Sequence, residues 1–322
     1  MTSNDPLIVD CDTGIDDALA LLYLLADPGI DLRAITTVFG NTSADTAAAN
    51  TLRVLELAGR PDIPTAVGAA SSLRGTARLA PHVHGDDGLG NTGLPTPAGA
   101  PVTEPAAELI VRLARENPGR LRLLAVGPLT NLATALRLDP ELPELVSHVT
   151  IMGGAVNHPG NVTPWAEANV ANDPEAARLV LRAGWDVTLV PLDVTMTELL
   201  TEEHRLRLLA ATTPTSRFAA NILAHYLDVY QRNVFGSPRA ACHDPLAAAI
   251  AVGEVSPELA PIVPVDVDTS DGQERGRTVA GRPGRDGSGG PGVRVALRTE
   301  GTFPERLVQR LGGVPSRTID IA

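Results

Sequence analysis

Short apolar segments alternate with Ala- and Leu-rich segments along most of this chain, and this alternation constrains the fold more than any other feature. Runs of strand length lie at 6–10, 32–40, 120–127, 148–154 and 186–193. Segments with helical character lie at 16–27, 43–59, 104–119, 129–139 and 173–184. Strands that alternate with helices predict a mostly parallel central sheet flanked by helices on both faces. We therefore predict an α/β fold, a single domain over residues 1–322 with a Rossmann-like open sheet.

The second part of the chain follows a different pattern. It is predicted to be helical from 195 through about 252 and to add late strands at 261–268 and 292–299. The segments 81–95 and 270–291 are too polar and glycine-rich for a regular element. We predict the second of them to be an exposed loop or hairpin rather than a domain boundary.

The composition excludes several classes of function. The formal net charge of −12 argues against a surface that binds nucleic acid or an anionic membrane. The sequence contains no lysine, which excludes Schiff-base chemistry. Its two cysteines, Cys11 and Cys242, are too few for a disulfide framework and are expected to be small buried apolar groups. Neither a signal peptide nor a membrane-spanning run is evident, so we expect a cytoplasmic protein.

An acidic cluster lies where the first strand gives way to the first helix. The segment IVDCDTGIDDALALL, residues 8–22, contains Asp10, Asp12, Asp16 and Asp17. Such carboxylates repel one another unless a cation lies among them. Acidic residues can also begin a helix, where they interact favourably with its dipole, but that role needs one acid rather than four. The cluster therefore predicts a metal site, with Asp10 orienting its neighbours.

Further candidate residues follow the ends of other predicted strands, which meet at one ligand-binding edge of an open parallel sheet. They are Asn41 in VFGN, Met152 in IMGG, Asn161, Glu167 and Asn169 in NVTPWAEAN, and His243 and Asp244 in CHDP. Taken singly, each could be an ordinary turn, core or helix-start residue. As a set they are rich in oxygen donors, which favours Ca²⁺ or Mg²⁺ over zinc.

Together these motifs resemble the nucleoside hydrolase family. The DxDxxxDD array, the VFGN turn, the AVGPLTN strand end, IMGG followed by NVTPWAEAN, and the late HDP occur in the family's order over most of the chain. The resemblance implies the family's α/β fold and a calcium-dependent hydrolysis of the N-glycosidic bond of a ribonucleoside, which releases ribose and a free base.

The resemblance also implies a metal-ligand set. The ion would be held by Asp12, Asp17, Asp244 and the main-chain carbonyl of Val126. Asp12 would in addition be the general base that takes a proton from a metal-bound water. Calcium lowers the pKa of water only weakly, so a basic partner is needed.

The remaining roles implied by the resemblance concern the nucleoside. The 2′- and 3′-hydroxyls would be bound by Asp16, Asn169 and Asp244, with Asn41 near the ribose. The 5′-hydroxyl would be bound by Asn161 and Glu167, with Met152 packing beside them, and His243 would help the leaving base depart. This acidic pocket suits the chemistry, because breaking a ribosyl bond puts positive charge on the sugar ring.

Mobile segments are a further implication. Related enzymes have a flexible loop corresponding to 81–95 and a second mobile segment corresponding to 225–240, and 270–291 is also predicted to be mobile. His82 in the first and Tyr230 in the second are expected to contact substrate. The resemblance further implies a homo-oligomer, either a dimer or a tetramer.

Two features leave questions open. Thr13 stands where the family usually has Pro, and its loss of a fixed φ angle is expected to loosen the turn modestly without removing a ligand. The 81–95 loop contains no tryptophan, whereas purine-specific members stack the base between tryptophans. With His243 retained, this favours a broad, inosine-uridine or pyrimidine preference.

Two other functions are compatible with parts of the sequence. DCDTG also fits the DxDxT motif of haloacid-dehalogenase-like phosphatases, in which Asp10 would be the nucleophile, Asp12 the acid/base and Mg²⁺ the metal. That chemistry normally uses a lysine, and this chain has none. The second alternative is an inactive calcium-dependent sugar-binding protein.

Overall fold

The central feature of the structure, a computed structural model that describes residues 5–281 and 290–313, is one nine-stranded sheet. The strands are β1 Leu7–Cys11, β2 Leu32–Thr37, β3 Thr65–Val67, β4 Leu121–Ala125, β5 Val146–Met152, β6 Val187–Val190, β7 Leu199–Thr201, β8 Arg239–Ala241, β9 Ile262–Val267, β10 Thr278–Ala280 and β11 Gly292–Val295. Their order in the large sheet is β10-β9-β11-β6-β5-β4-β1-β2-β3, and β7 pairs with β8 separately.

The pairing is parallel from β3 through β11, and β9 and β10 add an antiparallel edge. Strand β1 lies between β2 and β4, so its carboxyl end opens at the middle of the parallel part. All five of its residues are buried, as expected for a strand covered on both faces. The predicted mostly parallel α/β sheet is confirmed.

Helices cover both faces of the sheet. They are α1 Ile15–Leu25, α2 Ala44–Leu57, α3 Pro81–His84, α4 Ala106–Glu116, α5 Thr130–Leu138, α6 Leu142–Leu145, α7 Ala168–Asn172, α8 Pro174–Leu181, α9 Leu192–Thr195, α10 Glu202–Ala210, α11 Pro214–Tyr230, α12 His243–Ala251 and α13 Phe303–Leu311, with a π-helical turn at Gln231–Phe235. One apolar cluster unites α1, α11, α12 and α13, and a second unites α4, α5 and α8 on the other face. Within the described ranges, no helix combines the length and the apolar character needed to cross a membrane.

The structure adds elements that the sequence pattern did not predict. The strands β3, β7 and β8 have three residues each, too few to show a period. The prediction that 81–95 lacks a regular element was wrong at its start, where Pro81 begins the four-residue helix α3. Strand β10 lies within the predicted loop at 270–291, and 282–289 of that loop lie outside the described residues.

A buried side-chain amide connects three segments at the carboxyl edge of the sheet. Asn131, at the start of α5, donates from Nδ2 to Asp10 Oδ1 at 2.7 Å and to the carbonyl of Thr37 at 3.0 Å. Its Oδ1 accepts from the backbone N–H of Ala69 at 2.9 Å. Asp10 Oδ1 also accepts from Thr36 Oγ1 at 2.6 Å. Burial raises the pKa of Asp10 to about 7, so this carboxyl group depends on these donors.

Removal of this amide should therefore weaken the fold. We predict that Asn131→Ala lowers the free energy of unfolding by about 2 kcal/mol or more, because buried acceptors lose their donors. The measurement is urea denaturation followed by circular dichroism. The control is Thr134→Ala on the same helix, whose half-buried hydroxyl bonds only back to the carbonyl of Thr130 and should cost far less. Equal losses in the two variants would contradict this role for Asn131.

Candidate active site

A cavity of about 630 Å³ opens at the carboxyl edge of the sheet. It brings together nearly all of the residues that the sequence singled out. Those lining it are Asp12, Asp16, Asn41, His82, Val126, Met152, Asn161, Glu167, Asn169, Tyr230, His243 and Asp244. The exceptions are Asp10 and Asp17, whose side chains are buried and do not line it. The strand ends and helix starts that carry these residues are far apart in sequence, so the parallel sheet is what assembles the site.

Three carboxylates at the inner end of this cavity, two that line it and one buried behind them, form a compact group. Asp16 and Asp17 lie in the first turn of α1, and Asp244 lies in the first turn of α12. One oxygen from each lies within 4.8 Å of the others, and all three side chains are buried. The sequence prediction named Asp12 in place of Asp16, and the structure puts Asp16 in this compact group. Asp12 is the neighbour of the group rather than one of its three members.

Asn41 connects Asp12 to this group. Its side-chain amide donates to Asp12 Oδ1 at 3.2 Å and to Asp17 Oδ2 at 2.9 Å, and its backbone N–H donates to Asp12 Oδ2 at 2.6 Å. Asp17 also accepts from the backbone N–H groups of Asp12 and Gly14 at 3.1 and 2.8 Å. A Cβ atom at Gly40 would lie 1.9 Å from Asp12 Oδ2, so this approach requires glycine. Asn41 therefore fixes two carboxylates.

The ionisation of these carboxylates is strongly perturbed. Burial raises the pKa of Asp16 to about 6 and that of Asp17 to about 6, and the charge of Asp16 adds to the effect on Asp17. Burial and then the neighbouring acids also raise the pKa values of Asp12 and Asp244. The protein therefore holds its carboxylates where their negative charge is costly, as expected of a site built for a cation.

The donor atoms fit a hard divalent cation. Asp16 Oδ1 is buried and has no hydrogen-bond partner among the residues that the structure describes. The compact group offers carboxylate oxygens, and neither cysteine nor histidine belongs to it. This donor set suits Ca²⁺ or Mg²⁺. The carbonyl of Val126 already accepts from Asn169 Nδ2 at 2.8 Å, which leaves its second lone pair for another partner.

Beside the acids lies a rigid polar wall formed by the start of α7. Glu167 accepts from the backbone N–H groups of Gly154, Asn169 and Val170 at 2.9, 2.9 and 3.1 Å, while burial raises its pKa. Asn161 Oδ1 accepts from Ala168 at 3.0 Å. The amide of Asn169 also donates to the carbonyl of Met152 at 3.2 Å. This wall presents carboxylate and amide groups in fixed positions, as a sugar pocket requires.

The opposite side of the cavity contains a histidine held at both ring nitrogens. His243 Nε2 lies 2.6 Å from the hydroxyl of Tyr230, and its Nδ1 lies 2.7 Å from Thr195 Oγ1. Burial lowers the pKa of His243 to about 3, so the ring is neutral at pH 7. The hydroxyl of Tyr226 lies 3.4 Å from that of Tyr230 and 3.1 Å from Asp16 Oδ2. These hydroxyls therefore link the histidine to the acidic group.

Sequence reasoning missed three residues of this site. Thr195 contacts His243 although the two lie 48 positions apart, and no local sequence pattern predicts this contact. His84 is buried, its Nδ1 accepts from the backbone N–H of Ile15 at 3.1 Å, and burial lowers its pKa to about 4. Tyr226 lies four positions before Tyr230, and this spacing, which places both on one face of α11, is the signal that could have found it.

The turn that carries Thr13 is fastened to α2. Thr13 Oγ1 lies 2.7 Å from Thr51 Oγ1 and 3.3 Å from Cys11 Sγ, and its carbonyl accepts from Asn50 at 3.1 Å. A proline would lack this hydroxyl. Cys11 and Cys242 are both free and buried, as the sequence predicted.

Comparisons with known proteins agree with this geometry. The sequence model of a family described as inosine-uridine preferring nucleoside hydrolase matches residues 7–302. The chain is 40% identical over 276 residues to the pyrimidine-specific ribonucleoside hydrolase RihA of Citrobacter koseri, and the alignment covers 85% of this chain and 87% of that protein. It is 39% identical over 244 residues to probable uridine nucleosidase 1 of Oryza sativa subsp. japonica, and that alignment covers 76% of this chain and 75% of the relative.

A solved structure shows the same relationship. The plant nucleoside hydrolase PpNRh1 superimposes with a TM-score of 0.92 at 34% identity, over 96% of this chain and 99% of that one. The family match spans most of the chain, and the buried acids lie in the motifs that suggested the resemblance. The chain belongs to the nucleoside hydrolase family.

Proposed function

We propose that this enzyme hydrolyses the N-glycosidic bond of ribonucleosides with Ca²⁺ as its cofactor and with a preference for pyrimidine bases. The observation that carries the proposal is that Asp12, Asp16, Asp244 and the polar wall line one cavity of about 630 Å³, with Asp17 buried against Asp16 and Asp244. When bound, the divalent cation would neutralise the acidic group and lower the pKa of a water molecule.

The ribose is proposed to lie against the acidic group and the polar wall. Asp16, Asn169 and Asp244 would bind its 2′- and 3′-hydroxyls, with Asn41 near the ring. Asn161 and Glu167 would bind the 5′-hydroxyl beside Met152. The carboxylates then surround a ring that gains positive charge as the glycosidic bond breaks, which stabilises the transition state.

Asp12 is proposed as the general base. Both of its oxygens accept from Asn41, which fixes the orientation of the carboxylate, and burial raises its pKa, which makes it a stronger base than an exposed aspartate. From the cavity it can accept a proton from the attacking water. The proposed cation ligands are Asp12 itself, Asp17, Asp244 and the carbonyl of Val126. Asp16 is an additional ligand, which the compact group suggests.

The leaving base is proposed to depart on the side of His243. A neutral imidazole held between two hydroxyls can pass a proton only as part of that array, so Tyr230 is proposed to act with it. His82 lines the same cavity and would contact the nucleoside. The pyrimidine preference rests on the names of the similar enzymes and on a cavity lining without tryptophan among the described residues.

Several coarser features complete the proposal. We propose a single catalytic domain, with segments 81–95 and 225–240 moving when substrate enters. We also propose a cytoplasmic homodimer or homotetramer that takes part in purine and pyrimidine salvage. The support for these statements is the family resemblance, and both segments contribute residues to the cavity.

The phosphatase alternative is not favoured. As its nucleophile, Asp10 would have to reach the substrate, but its side chain is 2% exposed and is absent from the residues that line the cavity. Its Oδ1 is occupied by Thr36 and Asn131. The second alternative, an inactive sugar-binding protein, is not favoured by the family match. A measurement of turnover distinguishes it from a hydrolase.

The role of Asp12 can be tested directly. We predict that Asp12→Ala lowers kcat for uridine by about 10³-fold or more, because the general base is lost. The measurement is ribose release with circular dichroism to verify folding, and the control is the exposed Asp62→Ala. Near-normal turnover by a folded Asp12→Ala enzyme would refute Asp12 as the base.

The cofactor proposal predicts a specific response to chelation. We expect EDTA to abolish uridine hydrolysis and added Ca²⁺ to restore it. Calorimetry should show one Ca²⁺ ion bound per chain, and Asp17→Asn should weaken that binding about tenfold or more, because a buried charged ligand is lost. Calcium should also raise the melting temperature of the wild type more than that of Asp17→Asn. Full turnover in excess EDTA would contradict the proposal.

The role of His243 predicts a dependence on the leaving group. We expect His243→Ala to slow uridine hydrolysis about 10²-fold and to slow p-nitrophenyl riboside much less, because p-nitrophenolate leaves without a proton. Measurements of kcat on both substrates provide the test. His148→Ala, which removes a histidine bound to Asp186 outside the cavity, is the control. Equal losses on the two substrates would remove His243 from leaving-group activation.

A further inference from the structure

A second cavity, of about 270 Å³, adjoins the nucleoside cavity and is lined by arginines. We call it the arginine groove, and its basic residues are Arg74, Arg78 and Arg275. Arg78 and Asn172 line both cavities, so the two spaces meet at these side chains. At about 30 Å³ per water molecule, the groove has room for a tetrahedral anion and several waters.

Arg275 is held by several short hydrogen bonds, and the more exposed Arg74 contacts the same acid, Glu175. Arg275 Nη2 donates to the two carboxylate oxygens of Glu175 at 2.8 and 2.7 Å, and its Nη1 donates to the carbonyl of Thr269 at 2.7 Å. Arg74 Nη1 reaches the same carboxylate at 3.4 Å. Guanidinium groups held in this way keep further N–H donors available, because each has five.

Arg78 differs from the other two. The structure assigns it no acidic partner among the described residues, and its side chain is exposed beside Asn172, which accepts from the Arg78 backbone N–H at 3.2 Å. Asp271 lines the groove, and Glu175 contacts Arg74 and Arg275, so three arginines stand against two acids there. The remaining positive charge is that of Arg78, in a chain of net charge −12.

The groove lies on the side of the cavity proposed for the 5′-hydroxyl. Glu167 caps α7, and Asn172 ends that helix, which at 1.5 Å per residue is about 7.5 Å long. A group attached to the 5′-oxygen would have to follow this helix to meet Arg78, whose side chain lines both cavities. The acidic floor of the main cavity repels an anion, whereas the groove attracts one.

We propose that the arginine groove binds a phosphate group, so that a nucleoside 5′-phosphate occupies the active site with its phosphate among Arg74, Arg78 and Arg275. The hydroxyls of Ser72 and Thr76, which also line the groove, supply neutral donors. The placement of the 5′-oxygen rests on the proposed function. The groove itself does not, since free inorganic phosphate presents the same chemistry to the same donors.

The test compares a nucleotide with its nucleoside. Uridine 5′-monophosphate is added as an inhibitor of p-nitrophenyl riboside hydrolysis, and the KM for uridine is measured on the same enzymes. We expect competitive inhibition by the nucleotide. Arg78→Ala and Arg74→Ala should each raise the ratio of its inhibition constant to the uridine KM about tenfold or more, as expected for loss of a charge-assisted hydrogen bond. Arg60→Ala, which removes an exposed arginine paired with Asp62, is the matched control and should leave that ratio unchanged.

The second arm uses inorganic phosphate alone. Calorimetry without added calcium measures its binding to the wild type and to Arg78→Ala. Binding of phosphate that is lost in Arg78→Ala, with no inhibition by the nucleotide, would support the groove and identify free phosphate as its ligand. No binding in either arm, or equal changes for nucleotide and nucleoside, would overturn the proposal. Failure of the wild type to hydrolyse uridine would instead count against the proposed function and leave the phosphate arm valid.

Discussion

Electrostatic repulsion among buried carboxylates is the constraint around which this structure is built. Asp12, Asp16, Asp17 and Asp244 are each at most 7% exposed, and they share one end of the sheet. Such an arrangement is unfavourable in isolation, and most of the surrounding polar contacts can be understood as responses to it. Backbone N–H groups and the amide of Asn41 supply partial positive charge, and a cation would supply the rest.

Backbone N–H groups stabilise these buried carboxylates as much as side chains do. Asp17 and Glu167 each accept from two or more backbone N–H groups at the start of a helix, where the dipole also favours negative charge. The same two helix starts position Asp16 and Asn169 at the cavity. The same carboxylates therefore cap the helices and fix the neighbouring side chains that line the cavity.

The sequence was sufficient for the parallel sheet and for most residues of the site, because both leave local signals. The apolar runs that form β1, β2, β4, β5 and β6 are long enough to be recognised as strands. Four of the acids, Asp10, Asp12, Asp16 and Asp17, lie within a few positions of one another.

The contacts that the sequence could not supply are those between distant segments. The pairing of Thr195 with His243 and the place of Asp16 in the compact group depend on how α1, α9 and α12 meet across the sheet. The three-residue strands and the arginine groove were equally hidden, because the groove gathers Arg74 and Arg275 from positions about 200 residues apart.

The histidine held at both nitrogens has one more consequence. A neutral imidazole carries a single N–H, so the ring donates a hydrogen bond to either Tyr230 or Thr195 and accepts one from the other. The hydrogen bonds that join Thr195, His243 and Tyr230 can therefore all run in one direction or all in the other. A change of direction at one end of this chain of hydrogen bonds changes the direction at the other end. A rotation of the Thr195 hydroxyl, which does not line the cavity, is thus coupled to whether the ring donates a hydrogen bond to Tyr230 or accepts one from it.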